Sequence, residues 1–535
     1  MDRKVQVCVS LLFVAAIGLG AITHVPVAWR ALSCRAGFEK SVAAIHSGLL
    51  ERFKWKDAFV DISGLHARIV GRRLHNQVVR LANGHLQNAL RIEPSDEEMA
   101  KSADSAARIR DLFAWLKGRG IGALYLQAPT KMDVGGMLYP YEVKHRIYEK
   151  ADLVCAELQT NGCEVLDMRN RLAATVDDVS RNFYVADHHW RIEAAFGVFP
   201  AVVDRMLSIL GQDGKDVSQL VDSCNWLCQT REDLFLGSWG RRVGRFFAGL
   251  DDISWYEPKF NTHLSCAVPR VELITVGKFS DALVRSAGFL DGRLSPHANN
   301  AYCLYVGGNF PLVMHRNASA PSHARILMVV DSFALPVQAF LSTVFSEIDV
   351  LDLRSFGEMP LCDYVDAYGP DLVVFLYNPG SIGAEKTFAF GLSPERRAKP
   401  ISEELPCGTS FEIAKTSDGA HYGVVADETM LKKGGLYRLV LGNLAVDGNC
   451  PGVTVCLRNP DSGEFKEMRV VDSEYAAGHA ETLAFKIPTA GRWELVAFAG
   501  RRSSTAAGIR IGKVSLACVR SPSPEAPQPI PSIPH

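Results

Sequence analysis

A serine at position 332 has the sequence context of a catalytic nucleophile. Asp331-Ser332 follows directly after the apolar segment 325–330, a predicted strand, and a helix candidate begins at Pro336. Ligands of open α/β sheets bind at the carboxyl ends of the strands, and the N-terminus of a following helix favours developing negative charge. Serine is also a common N-cap residue, so the same pattern fits a purely structural role.

A base and a carboxylate that could orient it are present in the segment Asp187-His188-His189-Trp190. A serine nucleophile requires a base that removes its proton, and that base requires an orienting carboxylate. We expect Asp187 to accept a hydrogen bond from one ring nitrogen of His189, whose other nitrogen faces Ser332. His188 is the rival base, or it caps the following helix. Two other interpretations stay open: a metal site made of both histidines and Asp187, and a surface cluster without chemistry.

Arg354 is a third candidate because it follows the predicted strand 348–353. An arginine at this edge of a sheet could bind an anion or stabilise a developing oxyanion. The alternative is an ordinary ion pair with a neighbouring carboxylate.

The elements that must position these residues alternate between strands and helices. Helices are predicted at about 142–160 and at 336–345, and apolar strands at 122–128, 163–168, 325–330, 348–353 and 371–377. This alternation favours an α/β fold with a parallel sheet flanked by helices. The predicted domain spans residues 105–398, and the less regular stretch 225–320 is interpreted as an insertion within it.

The regions on either side of this domain have different patterns. Residues 36–104 are predicted to form a helical lead-in, because apolar residues recur at three- and four-residue spacing. Short β-type runs separated by turn pairs favour an all-β sandwich over residues 400–520. The tail 521–535 is rich in proline and is expected to be extended or disordered.

The N-terminal segment indicates export. Residues 5–23 carry no formal charge and follow the basic pair Arg3-Lys4, a length and a flank that are typical of a membrane-crossing helix whose N-terminus is cytoplasmic. We predict a single anchor within residues 1–35, and a cleaved secretory signal is the alternative. In either case the remaining chain is expected at the periplasmic or extracellular face of the membrane. Such a compartment permits disulfides, with Cys224–Cys228 and Cys450–Cys456 as the pairs close in sequence.

Composition excludes several classes of protein. The 535 residues include 58 Lys and Arg against 59 Asp and Glu, so no basic excess exists to hold a nucleic acid backbone. With 47% hydrophobic and 22% charged residues, the chain is neither disordered nor collagen-like. No Cys-x-x-Cys pair occurs, so a zinc site is not expected.

Five segments in succession resemble the signatures of the DHHW family. They are Asp187-His-His-Trp, Gly237-Ser-Trp-Gly-Arg-Arg with Ala248-Gly-Leu-Asp-Asp, Tyr305-Val-Gly-Gly-Asn-Phe-Pro-Leu, Val330-Asp-Ser-Phe-Ala, and Leu351-Asp-Leu-Arg. That family is related to the SGNH-hydrolase-like domains of the alginate O-acetylation proteins AlgJ and AlgX. The resemblance covers about residues 105–395, and the order of the motifs, with Asp-x-His before the serine, is similar to that of the alginate proteins.

This resemblance implies a Ser-His-Asp triad made of Ser332, His189 and Asp187. It also implies an oxyanion site formed by the Ser332 backbone N–H together with Gly308, Asn309 or Arg354. The C-terminal sandwich is similar in architecture to the carbohydrate-binding module of AlgX. The aromatic residues Trp493, Tyr437 and Tyr422 could therefore stack on sugar rings, although aromatic residues in strands more commonly fill the core.

The implied function is that of an exported polysaccharide O-acetyltransferase, or of an accessory protein of one. A carbohydrate acetylesterase with the same triad and a non-catalytic polysaccharide-binding scaffold are the alternatives. No cofactor is expected, since the serine itself carries the acetyl group. The resemblance implies a polysaccharide as substrate and a membrane-bound acetyl donor protein of the MBOAT type as partner.

Overall fold

The computed structural model describes most of the chain up to residue 393 and the main strands beyond it. The described residues are 55–89, 94–131, 147–172, 181–393, 403–405, 411–413, 422–424, 435–446, 452–458, 465–487, 494–499 and 509–520. The predicted anchor at 5–23 and the proline-rich tail at 521–535 lie outside them. Within these ranges, no helix has the length and apolar character needed to cross a membrane.

Strands account for much of the described structure. In chain order they are β1 Leu74–His75, β2 Val78–Arg80, β3 Leu86–Asn88, β4 Gly122–Gln127, β5 Val165–Asp167, β6 Trp226–Phe235, β7 Asp251–Pro258, β8 Leu264–Val268, β9 Leu273–Gly277, β10 Leu312–Arg316, β11 Ser322–Val330, β12 Phe345–Leu351, β13 Leu372–Tyr377, β14 Glu403–Leu405, β15 Phe411–Ile413, β16 Tyr422–Val424, β17 Leu436–Val446, β18 Gly452–Arg458, β19 Phe465–Asp472, β20 Glu481–Lys486, β21 Glu494–Ala499 and β22 Ile509–Arg520.

Helices flank these strands and connect them. In chain order they are α1 Lys56–Ile69, α2 Asp96–Lys117, α3 Ile147–Thr160, α4 Arg169–Leu172, α5 Ile192–Leu210, α6 Ser218–Val221, α7 Gly237–Val243, α8 Arg245–Ala248, α9 Phe279–Leu283, α10 Ser286–Phe289, α11 Leu335–Leu341, α12 Leu361–Tyr368 and α13 Ser473–Gly478.

A mixed eight-stranded sheet forms the centre of the α/β domain, in the order β5-β4-β13-β11-β12-β10-β8-β9. The first five strands are parallel, whereas β10, β8 and β9 join by antiparallel pairing. Helices α5 and α11 pack against one face, where Phe199 and Phe340 have ring centroids 5.7 Å apart, and α2, α3 and α12 contribute to the apolar core of the other face. The predicted α/β fold class is thus confirmed.

The antiparallel half of this sheet comes from the stretch predicted as an insertion, 225–320. That stretch is more regular than its aromatic and glycine content indicated. It contains the β6–β7 hairpin, and its strands β8 and β10 are buried along their whole length. Full burial on both faces gives continuous apolar runs instead of an alternating pattern, and this makes such strands hard to distinguish from irregular core segments in a sequence.

Four parallel strands end at the same edge of the sheet. Val330 of β11 pairs with Leu376 of β13, and Val329 pairs with Leu351 of β12. Leu376 also pairs with Leu126 of β4. Residues that follow these strands, including Ser332, therefore lie together at the edge where ligands of α/β sheets bind.

The helical lead-in predicted over 36–104 is wrong for part of its length. Residues 74–88 form the antiparallel sheet β1-β2-β3 instead. Asn76 and Gln77, with φ of 45° and 60°, make the tight turn between β1 and β2, a conformation that suits two-residue hairpins. The adjacent β-branched residues Val78 and Val79 are fully buried in this sheet, and packing of this kind overrides a weak helical spacing.

The C-terminal region contains two sheets, as expected for a β-rich module. One has the order β14-β22-β17-β20 with β15 paired to β22, and the other has the order β16-β21-β18-β19. Apolar residues of both sheets belong to the same buried cluster as residues of α2, α3 and α12. The β region is therefore packed against the α/β domain. Cys224 and Cys228, considered above as a pair, are both free thiols.

A buried ion-pair network joins the β region to the central sheet. Arg316 at the end of β10 donates from Nη1 to Oδ1 of Asp349 at 2.9 Å and from Nε to Oε2 of Glu481 at 2.9 Å. The hydroxyl of Tyr364 donates to the other oxygen of Asp349 at 2.6 Å. All three charged side chains are almost fully buried, so each depends on the others for its hydrogen bonds.

Replacing Glu481 by Ala is expected to destabilise the chain strongly. The substitution leaves the buried Arg316 guanidinium without the partner that its Nε requires, and breaking one side of a buried ion pair costs about 3–5 kcal/mol. Denaturant unfolding measures the loss. The matched control is Glu97→Ala, which removes an exposed pair with Lys101 and should leave the unfolding midpoint unchanged. Equal effects of the two variants would contradict this account.

Candidate active site

Ser332 lies immediately after β11, in a short 3-10 turn of residues Ser332–Ala334 that leads into α11. Asp331 holds this turn in place. One of its carboxylate oxygens accepts the N–H of Phe333 at 2.9 Å, and the other accepts the N–H of Asn378 at 2.8 Å and the hydroxyl of Ser381 at 2.7 Å. These hydrogen bonds connect the end of β11 to the end of β13. Among the described residues, no hydrogen bond uses the backbone N–H of Ser332.

The three residues of the predicted triad are in hydrogen-bond contact. Nε2 of His189 is 2.8 Å from Oγ of Ser332, and Nδ1 of the same ring is 2.6 Å from Oδ1 of Asp187. Because a carboxylate only accepts hydrogen bonds, the Asp187 contact assigns the proton to Nδ1 and leaves Nε2 as the acceptor of the Ser332 hydroxyl. Asp187 is 1% exposed and His189 is 8% exposed, so the contact between them is shielded from water.

Asp187 accepts further hydrogen bonds that hold its carboxylate in position. Oδ1 also accepts the backbone N–H of His189 at 2.9 Å, and Oδ2 accepts the N–H of Ser238 at 2.5 Å. Burial alone would raise the pKa of Asp187, but the electrostatic interaction with His189 and the hydrogen bond from its ring outweigh that effect and hold the pKa well below its ordinary range. The carboxylate is therefore ionised throughout the neutral pH range.

Two buried charges fix the backbone of the loop that carries Asp187 and His189. The ammonium group of Lys131 donates to the carbonyl oxygens of Tyr184, Val185 and Asp187 at 2.5, 2.7 and 3.0 Å. Burial lowers the pKa of Lys131 to about 7. On the same loop, the carboxylate of Asp251 accepts the N–H groups of Val185 and Ala186 at 2.7 and 2.8 Å.

The His189 ring lies between two other rings. The ring centroid of Tyr302 is 4.0 Å away with an interplanar angle of 17°, and that of His188 is 3.8 Å away on a tilted ring. Tyr302 is itself held by the indole N–H of Trp190, which donates to its hydroxyl at 3.1 Å. The stacked rings restrict rotation of the imidazole, so His189 is held ready to face Ser332.

His188, the rival base, has a different environment. Its Nδ1 lies 2.8 Å from Oγ of Ser238. Burial and, after it, the electrostatic interaction with the neighbouring His189 lower the pKa of His188 to about 3. The two histidines and Asp187 offer donor atoms within 4.8 Å of one another, which is the arrangement considered for a metal. Both nitrogens of His189 and Nδ1 of His188 already have hydrogen-bond partners, however, so an ion bound to His189 would have to displace its contact with either Asp187 or Ser332.

Two of the three residues predicted to complete an oxyanion site, Arg354 and Asn309, are held by a carboxylate. Nε and Nη2 of Arg354 donate to both oxygens of Asp352 at 2.9 and 2.7 Å, and the amide of Asn309 donates to the same carboxylate. Gly308 is next to Asn309, and a Cβ added at Gly308 would lie 3.2 Å from the ring of Phe310. Arg354 and Asn309 thus form a cluster around Asp352. Among the described residues, the backbone N–H groups of Ser332 and Gly308 have no hydrogen-bond partner, and the oxyanion role of these residues stays a prediction.

The aromatic residues predicted to bind sugar have separate outcomes. The prediction that Tyr437 stacks on sugar rings is wrong, because this residue is only 1% exposed and its ring stacks on Phe485 at a centroid distance of 5.8 Å. Its position in β17 directs the ring inward, and burial of an aromatic ring stabilises the sheet more than exposure would. Tyr422 is part of β16, but its side chain and Trp493 lie outside the described residues.

Several residues of the site were not identified from the sequence as functional. They are Lys131, Ser238, Asp251 and Tyr302. The motif blocks around Gly237 and Ala248 contain two of them, so the pattern marked the segments without indicating a role. Lys131 binds backbone carbonyl oxygens, and Tyr302 stacks on the His189 ring. Neither kind of contact requires a particular residue spacing, so the sequence does not indicate it.

Replacing Gly237 by Ala is expected to abolish activity that depends on His189. Gly237 has φ of +66°, and a Cβ there would lie 2.5 Å from the carbonyl oxygen of Ala186 and 2.7 Å from Cβ of Asp187. The loop must shift to relieve this clash, which separates Asp187 from the imidazole. Gly249→Ala is the matched control, since it has φ of +82° with no atom near the added Cβ. Ester hydrolysis that falls equally in both variants would mean that backbone strain, not the clash, is responsible.

No curated protein matches the chain at a significant level. Among solved structures, PatB1 of Bacillus cereus has 17% identity and a TM-score of 0.47, covering 57% of this chain and 97% of its own. A DHHW family protein of Eubacterium siraeum has 17% identity and a TM-score of 0.43, covering 59% of this chain and 96% of its own. AlgX of Pseudomonas aeruginosa has 12% identity and a TM-score of 0.29, covering 83% and 94%.

A family model adds to these structural similarities. Residues 86–217 match the model described as the SGNH hydrolase-like domain of acetyltransferase AlgX. The match includes Lys131, Asp187 and His189 and ends before Ser332. The resemblance inferred from the sequence motifs is therefore confirmed, and the chain is similar to the SGNH-hydrolase-like family of AlgX.

Proposed function

We propose that the chain is a serine-dependent O-acetyltransferase that acts on a polysaccharide. The observation that carries this proposal is the continuous hydrogen-bond chain from Ser332 Oγ through His189 to the buried Asp187 carboxylate. A hydroxyl activated in this way performs nucleophilic acyl transfer. The family description of an AlgX-type acetyltransferase domain supports acetyl as the acyl group. The polysaccharide acceptor is what the resemblance to the alginate O-acetylation proteins implies.

The first half of the reaction forms an acetyl-enzyme. His189 removes the Ser332 proton through Nε2 while Oγ attacks the carbonyl carbon of the acetyl donor. Asp187 stabilises the imidazolium that results, because its carboxylate is already bonded to Nδ1. The backbone N–H of Ser332 at the start of the turn can donate to the oxyanion of the tetrahedral intermediate. His189 then returns the proton to the leaving group as the C–O bond of the donor breaks.

The second half transfers the acetyl group to a sugar. His189, again neutral, removes the proton of a sugar hydroxyl as its oxygen attacks the acetyl-Ser332 carbonyl. Collapse of the second tetrahedral intermediate releases Ser332, which recovers its proton from His189. With water as acceptor the same steps give an acetylesterase, and the choice depends on how well the bound polymer excludes water.

The location and the partner belong to the same proposal. We expect the chain to act outside the cytoplasm, with residues 5–23 as anchor or signal, and to receive acetyl groups from a membrane protein of the MBOAT type. A non-catalytic polysaccharide-binding scaffold is the competing function. It would not require the close contact of Ser332, His189 and Asp187, and for this reason we favour the enzyme.

Replacing Ser332 by Ala should reduce acetyl release from p-nitrophenyl acetate by about 10³-fold or more, since the nucleophile is removed. The matched control is Ser342→Ala. That hydroxyl lies just after α11, is buried, and donates only to the carbonyl of Ala339. The control should retain full activity. Equal activity of Ser332→Ala and the unaltered chain would reject the enzyme and leave the scaffold function.

Asp187 should also make stability depend on pH. Its folded-state pKa is depressed below the unfolded value of about 4, so its contribution is present above that pH and is lost as pH falls through the folded-state pKa. Asp187→Asn should be less stable than the unaltered chain by about 1.5–3 kcal/mol at pH 7, because an amide cannot accept from both His189 and Ser238. The difference in unfolding free energy should shrink below pH 4. A difference that is constant between pH 3 and pH 7 would contradict the depressed pKa.

A further inference from the structure

A basic cavity lies between the N-terminal helix α1 and the small sheet β1-β2-β3. Its volume is about 430 Å³, and four arginines line it: Arg68, Arg72, Arg73 and Arg80. Volumes of about 300–1,000 Å³ are typical of sites for small ligands. We call this feature the arginine cavity.

Among the described residues, no acidic side chain pairs with these arginines. The sequence from residue 62 to residue 92 contains no Asp or Glu, although the chain as a whole has a net charge of −1. In the described part of the chain, none of the four guanidinium groups forms an ion pair. Arg68 donates only to the backbone carbonyls of Phe246 and Phe247, at 3.2 and 3.4 Å. By contrast, Arg245 nearby is paired with Asp61 at 3.1 Å.

The hairpin places two of these charges directly opposite each other. Leu74 pairs with Val79 across the β1–β2 turn, and the N–H of Arg80 donates to the carbonyl of Arg73 at 2.8 Å. Residues opposite each other in an antiparallel pair project from the same face, and like charges in such a pair destabilise it. The pair therefore costs stability that a bound anion would offset.

Arg80 has an unsatisfied donor in this environment. Its Nε is buried and has no hydrogen-bond partner. Burial and the neighbouring charges of Arg68 and Arg73 lower the pKa of the Arg80 guanidinium. An oxyanion is the group that would accept from Nε and neutralise the repulsion, because guanidinium groups bind carboxylate and phosphate through paired N–H donors.

The arginine cavity is connected to the loop of the candidate active site. Phe247, which lines the cavity, belongs to a small apolar cluster that also contains Ala186, the residue before Asp187. The N–H of Leu86 in β3 donates to the carbonyl of Val185 at 2.9 Å. The arginine cavity and the loop of Asp187 and His189 therefore belong to one packed unit.

We propose that the arginine cavity binds the carboxylate groups of an acidic polysaccharide. This inference rests on the proposed function, which gives a polysaccharide as the ligand. The cavity itself indicates that the polysaccharide is negatively charged. It assigns the acceptor to polymers built from acidic sugars and gives the chain a second contact with them, away from Ser332. Inorganic phosphate shares the oxyanion chemistry and is the alternative source that the experiment separates.

The test measures binding by calorimetry with the Ser332→Ala chain, so that the result does not depend on catalysis. Oligogalacturonate is the acidic probe, a cello-oligosaccharide of equal length is the neutral probe, and inorganic phosphate is the small anion. Oligogalacturonate should bind, and its Kd should rise at least about tenfold in Arg73→Gln/Arg80→Gln. Added salt should weaken the same interaction.

Two controls keep the result specific. Arg205→Gln, an arginine outside the cavity that pairs with Glu164, should leave the Kd unchanged. The double variant should have an unfolding midpoint equal to or above that of its parent, since it removes opposed like charges, so weaker binding cannot be attributed to unfolding.

Three outcomes would overturn the proposal. Equal binding of the acidic and the neutral oligosaccharide would exclude recognition by charge. Binding of phosphate without binding of oligogalacturonate would exclude an acidic polysaccharide as the ligand. Binding of oligogalacturonate that the double variant leaves intact would exclude the arginine cavity as its site. Loss of ester hydrolysis in Ser332→Ala is tested separately, so failure of this inference and failure of the proposed function can be distinguished.

Discussion

The hydrogen bond between the Asp187 carboxylate and the His189 ring is the interaction on which the candidate site depends. It sets the tautomer of the imidazole, and the tautomer decides that Nε2 can accept the proton of Ser332. Burying a carboxylate is costly unless its lone pairs are used. Here the backbone N–H groups of His189 and Ser238 also donate to the Asp187 carboxylate. These hydrogen bonds stabilise its charge in a buried position, where water does not compete for the imidazole.

The surroundings of this pair consist of contacts that prevent it from moving. Lys131 and Asp251 bond the carbonyl and N–H groups of one loop from two directions, and Tyr302 stacks on the His189 ring. Asp331 holds the turn of Ser332 in position because its carboxylate accepts hydrogen bonds from residues that follow β13. These buried charges bind backbone groups and so fix the positions of Ser332, His189 and Asp187 before the substrate arrives. A site held in this way does not have to reorganise during the reaction.

The sequence predicted much of the fold and the principal residues of the site, with errors of identifiable kinds. Parallel strands such as β11 and β13 were recognisable because strands buried on both faces are short continuous apolar runs. The sheet at 74–88 was missed because its strands have two or three residues, too few to show an alternating pattern. Tyr437 was misassigned because an aromatic residue in a strand points inward or outward according to register, and only the pairing of β17 with its neighbours decides which.

From the sequence alone, the chemistry of the site could be stated as a set of residue types: a serine after a strand, and an Asp-x-His pair on one loop. Local rules suffice for this, because strand ends, turns and motif spacing are determined by neighbours in the chain. Only the tertiary structure decided that Ser332 and His189, 143 positions apart, are within 2.8 Å, that Asn309 donates to Asp352, and that Phe247 joins four arginines in lining one cavity. These facts depend on strand order and on the packing of side chains from distant segments, which no local pattern of residues specifies.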